Sequence, residues 1–345
     1  MELAGATKFK IEVRNEDLAT AVDRPVDMPI PNRLNFFLVV LVTVCAIGLL
    51  WIGSRAPSWY GVAAVAVLYS YLMLSNYALL HEGTHHNLNE DPKWNYWLGV
   101  VTGVFFLAPF SMIRVTHQGH HQRNRTDDEI FDLYYEGGWF LKCCQWYATL
   151  LGLFWPCIPV CAVLFALCPR AIGLQLFSGP PFGNANVKDI TGRDLGRIRF
   201  ELLLTIAVFA ALFWFLELRW QTVVICYACF SVNWSTRQYV GHAFSKRDIV
   251  EGAFNLRHNF VMSKILLHGE WDLTHHRSPE VSWYYLPRIS RQDEPRSSYF
   301  RHYWRQWLGP RLATEPPPEP IEDIAATNVV PRQESSQRSA KLRSS

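Results

Sequence analysis

Two pairs of long apolar runs, separated by a middle stretch that carries half of the histidines, dominate the pattern along this chain. Residues 34–53 supply about twenty apolar positions, enough to cross a bilayer as a helix. A short turn, Ser54-Arg55-Ala56-Pro57, leads to a second run at about 58–80, which predicts a helical hairpin. Trp51 and Trp59 flank its turn, as aromatic residues do at a membrane interface. Runs at about 198–216 and 220–240, joined around Glu217-Leu218-Arg219, predict a second hairpin.

Two further apolar stretches fit less simply. Residues 94–113 contain Gly99, Gly103 and Pro109, which permit an irregular path that dips into the membrane or lies along its surface. Residues 139–168 carry Pro156 and Pro159 and suit a re-entrant pair, or an interfacial helix followed by a short span. They contribute either no crossing or two. The expected fold class is therefore an all-α integral membrane protein. About four transmembrane helices in two hairpins would support a cytoplasmic, histidine-rich helical cap and interfacial helices.

Charge sets an orientation. Lys8, Lys10, Arg14, Arg24 and Arg33 precede the first run, the stretch 169–197 is basic, and arginines crowd the region after Arg288. The positive-inside rule places all three in the cytoplasm, together with both chain ends. Both hairpins then begin and end on that side. Residues 1–33 read as a cytoplasmic N-terminal segment without the pattern of a cleavable leader. Residues 34–290 read as the membrane-embedded unit and 291–345 as a cytoplasmic C-terminal segment, disordered from about Thr314. A net charge of +3 gives no reason to expect nucleic acid as a partner. The eight cysteines lie mostly in apolar runs and read as core or lipid-facing residues.

Histidine is where the candidate chemistry lies. Eleven of the twelve fall between residues 81 and 276. One cluster holds His81, His85 and His86, a second His117, His120 and His121, and a third His268, Asp272, His275 and His276. On a helix His81 and His85 share a face, with His86 about a hundred degrees further round. His117, His120 and His121 are likewise spaced for one face. Imidazole is the commonest protein ligand for transition metals, and this many donors exceeds what one ion takes, so a dinuclear centre is expected. His242, one turn after Gln238 at the end of the last run, is a further candidate ligand. His258 is left unassigned, and His302 reads as a surface residue.

Two rival readings exist. His81-Glu82-Gly83-Thr84-His85 matches HExxH, the pattern of zinc proteases, which would make the chain an intramembrane protease but leaves the other clusters without a role. A metal transporter would place ionisable groups within the spans rather than at their ends.

Taken together, the HxxxHH, HxxHH and terminal xxxHH clusters and the hairpin placement resemble the membrane-bound fatty acid desaturase superfamily over roughly residues 35–290. The resemblance implies a non-haem centre of two iron ions, dioxygen as oxidant, a lipid acyl substrate, and electrons from an external ferredoxin, rubredoxin or cytochrome b5-like donor. A hydroxylase or ketolase acting on a lipid or carotenoid through the same centre is the alternative within the superfamily. His81, His85 and His86 match its first box, His117, His120 and His121 its second, and His275 and His276 close its third. His242 matches a further ligand, and Gln238 the place of an asparagine that holds a metal-bound water in some members. The third box departs from the pattern, because Asp272 stands where a histidine is usual. Either Asp272 or His268 completes it, and a carboxylate at that position makes Asp272 the favoured choice.

Overall fold

The computed structural model describes residues 27–174 and 185–321. Expectations for the first 26 residues, for 175–184 within the basic stretch, and for the tail after Ile321 fall outside the described residues. The protein is mostly helical.

The first hairpin consists of α1 (Asn32–Arg55) and α2 (Trp59–Thr84), as the apolar runs predict. Ser58 accepts a hydrogen bond from the Gly61 amide and so caps α2 where the turn ends. The second consists of α7 (Gly192–Leu216), opened by a reciprocal Thr191–Asp194 capping box, and α8 (Trp220–Ser235). Both hairpin turns lie at the same end of the molecule. Arg55 donates to the Glu217 carbonyl and pairs with its carboxylate at 3.0 Å, while the Arg219 amide donates to Ser54 Oγ at 3.0 Å. The helix α8 has 16 residues and stops five short of the predicted boundary near 240. Turns take over at Thr236 and carry the chain into the histidine-rich cap.

Residues 92–123 fold as α3 (Pro92–Phe106) and α4 (Phe110–Arg123), bent by 98° at Leu107–Pro109. Leu107 adopts a left-handed conformation at the break (φ 58°), and Pro109 precedes the first turn of α4. Gly99 and Gly103 make the bend possible. A Cβ on Gly99 would lie 2.6 Å from the Phe110 ring, and one on Gly103 would lie 2.8 Å from the Ala108 carbonyl oxygen. The irregular path expected from these glycines and Pro109 is what the structure shows.

The stretch left open at 139–168 forms α5 (Trp139–Ala148) and α6 (Phe154–Leu167), joined by a π-turn at Gly152 (φ 98°). Through Trp146 and Leu150 the first half packs with Tyr239 and Ala243 of the cap, while α6 joins the main core through Trp155, Ala162 and Phe165. Gly152 is required by proximity as well as conformation, since a Cβ would meet the Val232 backbone of α8 at 3.0 Å. By length and composition four helices could cross a membrane: α1, α2, the kinked run 139–167, and α7. The 16-residue α8 is not among them, so the expected fourth span is replaced by 139–167, which offers one such helix where none or two were expected.

The cap follows α8. It contains α9 (Phe260–Ile265), α10 (Asp272–Arg277) and α11 (Tyr299–Arg305). Two short parallel pairings stitch it together: Leu133–Tyr134 with Arg311–Leu312, and Leu256–Arg257 with Ser297–Ser298. The segment from Thr314 to Ile321, expected to begin a disordered tail, is held to the body. Glu315 accepts from the Arg247 amide, and the Ile321 amide donates to the Gln122 carbonyl. His302 is also placed differently from expectation. It is buried against Phe254, because α11 turns one face onto the cap.

One carboxylate inside the apolar body fixes the helix that carries the second histidine cluster. Glu201 of α7 accepts from the Ser111 amide at 2.9 Å, from Ser111 Oγ at 2.6 Å and from the Tyr96 hydroxyl at 2.9 Å. It therefore caps α4 from another helix, satisfying an amide that the first turn leaves without an intrahelical partner. Glu201→Ala is expected to destabilise the protein by about 3 kcal/mol, since three buried donors lose their acceptor. Thermal unfolding in detergent checks this, and an unchanged midpoint would show that Glu201 does not hold α4.

Candidate metal centre

Four segments converge at one end of the bundle. α2 delivers His81 in its last turn and His85 at its C-cap, α4 delivers His117, His120 and His121, the turns after α8 deliver His242, and α10 delivers His275 and His276. These eight imidazoles fall into two sets. His81, His85, His117, His121 and His275 form one, and His120, His242 and His276 the other, with the ligand atoms of each set within 4.8 Å of one another.

In the first set the Nε2 atoms point at each other. His85 to His117 is 2.8 Å, His117 to His121 3.2 Å, and His121 to His275 3.1 Å. Donors on a sphere of about 2.1 Å radius stand about 3 Å from their nearest neighbours, so this is the spacing of ligands around one ion. The Nδ1 atom of His275 is buried with no hydrogen-bond partner, so the imidazole is not satisfied by the protein alone.

The second set is oriented from behind. The His242 Nδ1–H donates to the Gly252 carbonyl at 3.0 Å, and that tautomer leaves Nε2 as a lone-pair donor facing inward. The His120 Nδ1 lies 3.1 Å from Glu129 and is held in the same way. The two sets adjoin, with the His121 and His276 rings 4.4 Å apart. Residues present therefore fit a pair of ions.

Asp272 lies beside the second set. Its Oδ2 lies 3.1 Å from His242 Nε2, and its Oδ1 lies 3.9 Å from His276 Nε2. Room for it comes from Gly241, where any Cβ would collide with the Asp272 carboxylate. His268 is not brought in. Its Nε2 accepts from Lys264 Nζ at 3.2 Å, its Nδ1 faces Ser263 Oγ at 2.9 Å, and its ring stacks on Trp283. Both ring nitrogens are engaged away from the two sets. His86 is also outside both. The helix α2 ends at Thr84, and His86 has a left-handed backbone (φ 58°), so the helical projection used to place it does not apply.

Several residues that shape the site gave little sign in the sequence. Glu129 belongs to the acidic run after the second cluster, yet it is 4% exposed. Arg125 and Asp132 form an ion pair at 2.6 Å, both side chains fully buried. Arg125 also donates to the Tyr239 hydroxyl and the Ser245 carbonyl, which ties the end of α4 to the turns that carry His242. Glu82 of the HExxH match is buried and accepts from the Trp283 amide at 3.0 Å, joining the first cluster to the segment after the third.

A cavity of about 350 Å³ opens from the imidazoles into the apolar body. His81, His117 and His120 line one part of it, and Leu74, Ile158 and Phe165 another.

The profile of the fatty acid desaturase family matches residues 57–307, a span that holds every histidine of both sets. The chain belongs to the fatty acid desaturase family. Among curated proteins, the sn-1 oleoyl-lipid 12-desaturase of Arthrospira platensis is 23% identical over 93 residues, 27% of this chain. That match spans 26% of the relative's own length. Family membership and the engaged Glu82 both stand against the zinc-protease reading.

Burial, followed by the neighbouring imidazoles, holds His275 and His276 well below the ordinary imidazole value, and burial lowers His242 despite Asp272 beside it. The folded chain then binds fewer protons than the unfolded one as acid is added. Stability is full above the unfolded imidazole value of about 6.5 and is lost as pH falls below it. Thermal melts of the metal-stripped chain are expected to show that loss, and a midpoint independent of pH between 7 and 5, both within about the range where imidazole titrates, would contradict it. Gly241→Ala is expected to push Asp272 aside and weaken metal retention about tenfold with helicity unchanged. Full retention would place Asp272 outside the centre.

Proposed function

We propose that this chain is a di-iron membrane oxidoreductase that uses dioxygen and external electrons to introduce a double bond into a lipid acyl chain. The observation that carries the reading is the junction of two imidazole sets with an apolar cavity. Metal-ligating groups at the end of a channel lined by Leu74, Ile158 and Phe165 suit a substrate that is hydrocarbon along its length.

His81, His85, His117, His121 and His275 would hold one ion. His120, His242 and His276, with Asp272, would hold the other. Iron bound there supplies the activation of dioxygen that removal of hydrogen from an unactivated C–H bond requires. The chain itself supplies position and dryness. Glu129 and the Gly252 carbonyl fix the tautomers of His120 and His242, so the ring nitrogens remain aimed inward whether or not substrate is present. Phe106 and Trp234 pack edge to face beside Tyr77, closing the cavity wall against water. Gln238 donates to the Tyr77 hydroxyl at 2.9 Å on the same wall, within the cavity that the acyl chain would occupy.

The basic segments at 169–197 and after Arg288 support a cytoplasmic face for the site, where a soluble ferredoxin, rubredoxin or cytochrome could deliver electrons. Family membership and four helices long and apolar enough to cross a bilayer agree with a multi-pass membrane protein.

Purified protein is expected to contain close to two iron ions per chain. Expressed in cells lacking a comparable enzyme, it is expected to raise the unsaturation of membrane lipid acyl chains, and His120→Ala is expected to abolish that change. A single zinc without iron would overturn the reading. So would full product from the His120 variant.

A further inference from the structure

The cavity has a cation on its wall that neither the metal sites nor the core requires. Arg237 follows α8 by two residues, lines the cavity and is half-buried. Its guanidinium lies 5.9 Å from the Tyr71 ring, 5.8 Å from Tyr299 and 5.7 Å from Tyr303. Its Nε donates to Asn233 Oδ1 at 2.8 Å, and the Tyr299 phenol interacts with it as well. Among the described residues no carboxylate lies within ion-pairing distance of Arg237, whereas Arg125, Arg247 and Arg277 of the cap each have one; the half-buried Arg296 and Arg305 also lack one, but neither lines the cavity.

The setting suits an amphipathic ligand. Tyr71 comes from a helix that could span a membrane, whereas Tyr299 and Tyr303 come from α11, whose Phe300 and Trp304 face outward. An exposed aromatic face on a short helix beside a bundle marks the level where lipid headgroups meet hydrocarbon. A guanidinium is weakly hydrated, presents a fork of donors and matches carboxylate or phosphate. Aromatic rings beside it hold the cation in place without neutralising it.

We infer that Arg237, framed by Tyr71, Tyr299 and Tyr303, binds the oxyanion at the polar end of the acyl substrate. Holding that end fixes how far the chain reaches past the imidazoles, and so which carbon faces them. The oxyanion is the carboxylate of a free fatty acid or the phosphodiester of a glycerophospholipid. This inference rests on the lipid-substrate reading above.

Binding to the full-length chain in neutral detergent tests it without any turnover. The probes are cis-parinaric acid and its methyl ester, with palmitoyl-oleoyl-phosphatidylglycerol and dioleoylglycerol as competitors. The acid differs from its methyl ester in the carboxylate, and the phospholipid from the diacylglycerol in its phosphodiester-linked glycerol and one acyl chain. The wild-type chain is expected to favour at least one anionic member by about tenfold over its neutral counterpart, and the favoured member identifies the source of the oxyanion. Arg237→Gln is expected to lose that preference while binding the methyl ester as before, which also shows that the variant is folded. Arg237→Lys is expected to keep part of it. If the wild type binds acid and ester equally and phospholipid and diacylglycerol equally, the inference fails. It also fails if Arg237→Gln keeps the preference, and if that variant fails to bind the ester, Tyr71→Leu and Tyr303→Leu together, which remove the rings that frame the guanidinium, must weaken the preference or the inference falls. In the desaturating enzyme, Arg237→Gln is expected to spread the double bond over neighbouring positions. Loss of all desaturase activity in the wild type would remove the parent reading but leave the binding preference intact, so the two failures are distinguishable.

Discussion

Eight imidazoles packed together out of water are the constraint on which the rest of this fold depends. Burial makes His275 and His276 costly to protonate, and each of the eight carries a lone pair or an N–H that must find a partner. Left to themselves, facing Nε2 atoms can share only some of these bonds. Metal ions would resolve the arrangement, and the surrounding protein keeps the donors aimed for them. Glu129, the Gly252 carbonyl and the buried Arg125–Asp132 pair all act toward that end, although none of them belongs to either set of candidate ligands.

Much of this was legible in the order of residues, because it depends on local period and composition. Both hairpins follow from runs of apolar positions, and the clusters at 81–86 and 117–121 follow from helical spacing. Glycine and proline in 94–113 pointed to a broken path, and the bend occurs where Gly99 and Gly103 let Phe110 and Ala108 approach. Other features were not legible, because they rest on partners far away in the chain. Glu201 looks like a stray charge in a membrane run until Ser111, 90 positions earlier, is placed beside it. Ser235, where α8 stops early, accepts from the Trp155 amide, a contact no local pattern contains. His86 and His268 looked like ligands because spacing counts residues and not turns. A helix end before one and a lysine beside the other move them away from both sets.

Asp272 shows how a substitution in a recurrent pattern can be accommodated. A carboxylate is shorter than an imidazole, and here it comes from the first residue of α10 rather than from mid-helix. Gly241 lets the backbone after α8 come close enough for that shorter side chain to sit beside His242. The pair is thus a matched set: the acid would fall short without the glycine, and a larger residue at 241 would displace the acid.

The long-range fastening of the first cluster has a consequence for biogenesis. His81 and His85 enter the membrane hairpin early in synthesis, but the Glu82 carboxylate beside them waits for the Trp283 amide, 201 positions later. Until then a buried acid lacks its donor, and the first set lacks its fifth imidazole, His275. The emerging chain therefore holds an incomplete half of the imidazole cluster until the later helices are made. The site closes only when the cap folds back, so the last of its contacts form after every helix of the body has been made.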